Sequence, residues 1–136
     1  MRIKPEKIVE AEVLAMCKIL ELDVDVIDSK ATYSENLKQY RKSNSAPEGF
    51  PDLVGNDSRG RAIFIELKAA GKLKQLRRSQ VDFLQRKANL GCFAVAVDSA
   101  QMLHDLYLRW LSGTHSTELL QQILQKNLKS PASNFA

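Results

Sequence analysis

Asp52, Glu66 and Lys68 are the residues of this chain whose types and spacing can do chemistry. They lie in "PDLVGNDSRGRAIFIELK", where two short apolar runs flank the turn-forming stretch "NDSRG" (56–60). The runs "DLVG" (52–55) and "RAIFIELK" (61–68) read as the two strands of a β-hairpin. Residues two apart in a strand share a face, so Ala62, Phe64, Glu66 and Lys68 lie on one side and Ile63, Ile65 and Leu67 on the other. Both faces begin apolar, which marks a central strand with an acid and an ammonium at its C-terminal end. Hairpin pairing brings Asp52 close to Glu66, so two carboxylates and a lysine meet at one edge of the sheet.

Two adjacent carboxylates repel, and one is normally pushed toward its protonated form. A divalent cation removes the conflict, and hard oxygen ligands with open water positions suit Mg²⁺. Such an ion polarises a phosphoryl oxygen and acidifies a bound water, while Lys68 is placed to orient that water or to neutralise charge on a pentavalent phosphate. The plainer alternative is a structural Glu66–Lys68 ion pair beside a turn aspartate.

The elements that position these residues can be read from hydrophobic period and punctuation. Pro5 to about Leu20 has a helical stripe of Val9, Val13, Met16, Cys17 and Leu20. "VDVID" (24–28) alternates like a half-exposed strand, and residues 29–51 form a long polar connection containing Tyr33 and Tyr40, which could stack on unpaired bases. A helix is expected from about Leu76 to Leu90, with Gly91 after its end. "CFAVAV" (92–97) has the continuous apolar character of a strand covered on both faces. Two further helices, capped by Ser99 and starting near Thr117, complete the order α-β-β-β-α-β-α-α. This predicts one α/β domain over 1–129, a mixed sheet of about four strands flanked by helices, and a frayed tail at 130–136. The third helix carries more apolar residues (Met102, Leu103, Leu106, Leu108, Trp110, Leu111) than one stripe needs, and part of it is expected to meet a second subunit.

Charge is unevenly distributed. Between Lys68 and Lys87 seven basic residues face one acid, a local +6 in a chain of net charge +4, so the remainder sums to −2. One basic segment on a near-neutral body suits a phosphate backbone, although a solvated helix face has the same composition. Cys17 and Cys92 each sit in an apolar stretch and read as core residues, and His104 and His115 lack partners at zinc-ligand spacing. No apolar run approaches a membrane span, and acids interrupt the N-terminal region where a signal peptide would be apolar; a cytoplasmic protein with no membrane partner is expected.

Taken in order, "GFPDLVG…IFIELKAAGKL…SQVDFL…GCFAVAV" resembles the VRR-NUC branch of the PD-(D/E)XK nuclease superfamily. Gly49, Pro51 and Asp52 match its G-x-PD element, Glu66, Leu67 and Lys68 its E-x-K element, and Gln80 its downstream glutamine. The resemblance covers about residues 6–98 and implies a restriction-endonuclease-like core that hydrolyses DNA phosphodiesters with Mg²⁺ or Mn²⁺. It implies catalytic roles for Glu6, Asp52, Glu66, Lys68 and Gln80. Metal ligation would fall to Asp52, Glu66 and the Leu67 backbone carbonyl, with Glu6 joining directly or through water. Glu10 is the second choice for that first glutamate. Lys72, Lys74, Arg77 and Arg78, just before Gln80, are expected to hold DNA phosphates.

Small stand-alone members of this family look like phage or bacterial proteins, and the superfamily includes homodimeric Holliday-junction resolvases. Two sites related by a two-fold axis match a symmetric four-way junction, so a homodimeric, structure-selective endonuclease acting on branched DNA is expected. Flap, end-processing or restriction-type cleavage on the same core is the nearest alternative, and a non-catalytic DNA-binding module is the alternative of another class.

Overall fold

The computed structural model describes residues 3–27 and 47–127, and the backbone of 32–34 and 39–41. Helix α1 (Pro5–Ile19) begins with a proline whose missing N–H costs a first turn nothing, and its 3–4 spacing buries Val9, Val13 and Cys17. The chain turns through Glu21 at φ 60, and Leu22 N–H closes on the Cys17 carbonyl. Then follow β1 (Asp23–Val26), β2 (Thr32–Ser34), β3 (Gln39–Arg41), β4 (Leu53–Asn56) and β5 (Ala62–Leu67). A 3-10 turn (Leu73–Gln75), α2 (Arg78–Asn89), β6 (Phe93–Val97), α3 (Ala100–Leu111) and α4 (Ser116–Asn127) complete the described chain.

The architecture is α/β, built on a four-stranded mixed sheet in the order β1-β4-β5-β6. The first two pairings are antiparallel and the last is parallel, with α2 as the crossover. Strand β5 is central, as its two apolar faces predict, and Ile63, Phe64, Ile65, Glu66 and Leu67 are all buried. Phe93 pairs with Ile63 and meets Tyr107 and Trp110 of α3, whereas Phe64, on the opposite face, meets Phe83 of α2 edge-on at 5.7 Å. Helix α1 packs beside α3, and α2 beside α4. Helices thus cover both faces, and even β6, at the end of the sheet, is buried throughout.

Two details differ from the sequence expectation. The polar connection 29–51 contains a separate ribbon in which β2 and β3 pair antiparallel, with Tyr33 opposite Tyr40. The side chains of Tyr33 and Tyr40, and the tail 130–136, lie outside the described residues. Helix α2 starts at Arg78 rather than near Leu76, because Leu76 N–H closes the 3-10 turn on the Leu73 carbonyl and the chain is extended at Arg77. On α3, Leu103, Leu106 and Tyr107 face inward while Leu108 and Leu111 are exposed. Ser99 caps α3 as expected, its Oγ accepting the Met102 N–H at 3.1 Å. Cys17 and Cys92 are both free thiols, and burial pushes Cys17 up to about 11. No helix among the described residues is long and apolar enough to cross a membrane.

Candidate active site

Register sets the first contact. The last β4–β5 pair is Leu53 with Ile65, so Asp52 stands one step beyond, beside Glu66 and Leu67. There Asp52 Oδ2 accepts the Leu67 N–H at 2.8 Å, while the Asp52 carbonyl accepts the Ile27 N–H next to β1. An aspartate at this position continues the strand pairing with its side chain and holds its carboxylate at the sheet edge.

Glu66 is 3% exposed, an unusual place for a glutamate. Gln80 Nε2 donates to its Oε2 at 2.8 Å, and Lys68 Nζ lies 3.7 Å from the same oxygen. Its other oxygen, Oε1, is buried and receives no N–H or O–H among the described residues, and the Asp52 carboxylate is the acid that stands beside Glu66. Burial, then the charge of the neighbouring Asp52 carboxylate, push Glu66 up to about 9; Lys68 opposes the shift, while a hydrogen bond that protonated Glu66 shares with Asp52 and a smaller repulsion from Glu6 add to it. Without a cation, this setting favours the protonated form of Glu66.

Gln80 is itself buried and occupied at both ends. Its Oε1 accepts the Arg77 N–H at 2.9 Å, the return bond of an N-terminal helix cap, so its amide nitrogen is aimed at Glu66. The Gly49–Asp52 segment leans on the same turn. Gly49 has φ +81, and a Cβ there would come within 2.2 Å of the Ser79 carbonyl oxygen, so only glycine lets the two segments meet this closely. Phe50 then packs on Phe83 of α2 at 5.0 Å.

The structure therefore brings Asp52, Glu66, Lys68 and Gln80 together, with the Leu67 backbone between the acid and the lysine. Glu6, exposed on the first turn of α1, is within electrostatic reach of Glu66, whereas Glu10 pairs with Lys7 at 3.3 Å. No three His, Cys, Asp or Glu among the described residues cluster closely enough to hold a metal ion by themselves. Asp52 and Glu66 are the two hard donors that meet, and Glu66 Oε1 receives no N–H or O–H among the described residues. That donor chemistry fits a divalent cation completed by backbone oxygen and water, with Glu6 at one remove.

Lys72, Lys74, Arg77 and Arg78 are all exposed around the 3-10 turn and the start of α2, and Arg78 also pairs with Asp82 at 3.1 Å. Asp98, just after β6, was not singled out in the sequence. Its Oδ2 accepts the Gly71 N–H at 2.9 Å and so anchors the loop that carries the chain from Lys68 to Lys72. Only the apolar run ending at Val97 hinted at it, by placing an acid at the mouth of a buried strand next to β5. Comparison with protein-family models, curated proteins and solved structures returns no match.

Proposed function

We propose that the chain is a divalent-metal-dependent deoxyribonuclease of the VRR-NUC type, built on a PD-(D/E)XK core. One observation carries the reading: a buried glutamate, one of whose oxygens receives no N–H or O–H among the described residues, stands against a second carboxylate at a sheet edge, with a lysine 3.7 Å away. A purely structural Glu66–Lys68 pair would not need Asp52 beside it, since that carboxylate raises the cost of ionising Glu66.

Bound Mg²⁺ or Mn²⁺ would supply Lewis acidity and a water of lowered pKa. Asp52, Glu66 and the Leu67 carbonyl would hold it, with Glu6 acting through water. Lys68 positions the attacking water and offsets charge gathering on the phosphorus. Gln80 fixes the Glu66 carboxylate, which leaves its other oxygen for the ion. Lys72, Lys74, Arg77 and Arg78 hold the phosphates flanking the scissile bond, so attack proceeds in line and the P–O bond opposite the water breaks.

For the substrate we infer branched DNA, cut by a homodimer acting as a junction resolvase. The apolar residues of α4 (Leu119, Leu120, Ile123) are consumed by the core, so exposed Leu108 and Leu111 of α3 are the interface candidates on the C-terminal helices. Size exclusion with light scattering tests this; a monomer at micromolar concentration removes the two-fold argument. A panel of junction, flap, nicked and linear DNAs separates resolvase action from flap, end-processing or restriction-type cutting. A second reading, a non-catalytic DNA-binding module, draws on the absence of a third clustered ligand among the described residues. It requires salt-sensitive DNA binding with no cleavage in Mg²⁺ or Mn²⁺.

A further inference from the structure

The other end of strand β5 carries a second arrangement with no part in the proposed cleavage. In the turn 57–60, Asp57 is buried; its Oδ1 accepts the N–H groups of Arg59 and Arg61 at 2.9 and 2.8 Å, and its Oδ2 accepts Arg61 Nε at 2.7 Å. The Arg61 guanidinium carbon sits over the Trp110 ring of α3, 4.4 Å from its centroid. Held through Nε by Asp57 and set over an indole, the guanidinium is restrained on two sides. Of its three nitrogens only Nε is committed to a carboxylate, and the buried Tyr107 hydroxyl stands beside both Arg61 and Asp57. Burial tends to raise Asp57, but the Arg61 and Arg59 backbone N–H groups and the Arg61 guanidinium outweigh it and hold the carboxylate below its usual range.

Arg61 lines a cleft of about 400 Å³ together with Ser58, Arg59, Tyr107 and Leu111. Arg59 is exposed, and its side chain makes no hydrogen bond among the described residues. The only acid on the lining is Glu21, at the left-handed turn after α1. A planar donor fork restrained through Nε, with a second arginine and a tyrosine hydroxyl beside it, is the geometry that selects a tetrahedral oxyanion over a halide.

We propose that Arg61 and Arg59 form a phosphate-binding site, seated on Trp110. It lies roughly 17 Å from Glu66, five strand residues away at about 3.3 Å each. The phosphate can belong to a nucleic-acid backbone, which would make this a second contact for a DNA arm remote from the cut, or to a small phosphate compound. The site stands independently of the cleavage chemistry, because its readout is binding alone.

Trp110 is the only tryptophan, so its emission reports on the site directly. The intact chain is titrated with inorganic phosphate and, separately, with sodium chloride at matched ionic strength. A saturable change with phosphate alone is expected. It should weaken about tenfold in Arg61→Lys, which keeps the charge but loses the fork. Arg59→Ala, an exposed change that leaves the Asp57 clamp intact, should weaken it as well, and Glu21→Gln should tighten it. A short duplex then identifies the source: if the ligand is backbone phosphate, Arg59→Ala lowers the salt slope of DNA binding by about one. An unchanged slope with the phosphate response retained assigns the site to a small phosphate compound. Identical responses to phosphate and chloride, or a phosphate affinity unchanged in both arginine variants, would overturn the proposal.

Discussion

Asp52 Oδ2 accepts the Leu67 N–H at 2.8 Å, fifteen positions along the chain and one step past the end of the β4–β5 ladder. The carboxylate is thereby tied to the backbone between Glu66 and Lys68, and its other oxygen remains for the sheet edge. Asparagine retains a side-chain oxygen for this bond but not the charge. Asp52→Asn is therefore expected to fold with a thermal midpoint close to that of the native chain, while DNA cleavage falls by about two orders of magnitude or more. Paired melting and cleavage assays check it. A folded variant with native cleavage would remove Asp52 from the chemistry.

Glu66 gives the metal prediction. Its carboxyl is pushed up to about 9 in the fold from an ordinary 4.5, so the folded state binds more protons than the unfolded one between those values. Stability of the metal-free chain should then fall as pH rises from about 4.5 toward 9. Glu66→Gln abolishes that charge and should flatten the decline, giving the higher melting temperature of the two in EDTA near pH 9. Mg²⁺ or Mn²⁺ should raise the native midpoint at alkaline pH by mass action and leave Glu66→Gln unmoved. Equal metal shifts in both chains would place the cation elsewhere.

Gln80 makes two bonds that can be separated. Gln80→Ala frees the Arg77 N–H and removes the amide that donates to buried Glu66, at an expected cost of about 1–3 kcal/mol in denaturant unfolding. Gln80→Glu can still accept from Arg77 N–H but sets a third acid against Glu66 and Asp52. It should raise the metal concentration needed for half-maximal cleavage, a change that a purely structural role would not produce.

Gly49 tests whether the segment before Asp52 must approach α2 this closely. Gly49→Ala places a Cβ 2.2 Å from the Ser79 carbonyl oxygen at φ +81, so either the helix start or the Asp52 segment has to move. The expected loss is of order 1–3 kcal/mol, with cleavage reduced beyond what the unfolded fraction explains. Activity per folded molecule equal to that of the native chain would show that the approach does not position the site.

The hairpin and its acids were legible because two physical signals agree there: period-two alternation fixes the faces, and the "NDSRG" turn fixes the register. The central place of β5 and the burial of β6 follow from the same alternation and from the continuous run of apolar residues. The Gln80–Glu66 bond was not legible from spacing, since it depends on where a crossover helix lands on the sheet; family resemblance alone singled out Gln80. Asp57 read as an ordinary turn residue, and its first oxygen does cap the turn. Its second oxygen holds Arg61 beneath Trp110, a long-range contact that no local pattern reports. The β2–β3 ribbon was missed because its residues are polar and carry no alternation to mark a strand.

The central claim is that Asp52, Glu66 and Lys68 are brought together for phosphodiester hydrolysis. Its most direct test is cleavage of a labelled four-way junction beside a matched linear duplex, in Mg²⁺, in EDTA, and with Lys68→Ala in Mg²⁺. The expected result is symmetric nicking of the junction, absent from the linear duplex and lost in both controls. Tight DNA binding without cleavage, in Mg²⁺ and in Mn²⁺ alike, would contradict the account and leave Glu66 and Lys68 as a structural pair.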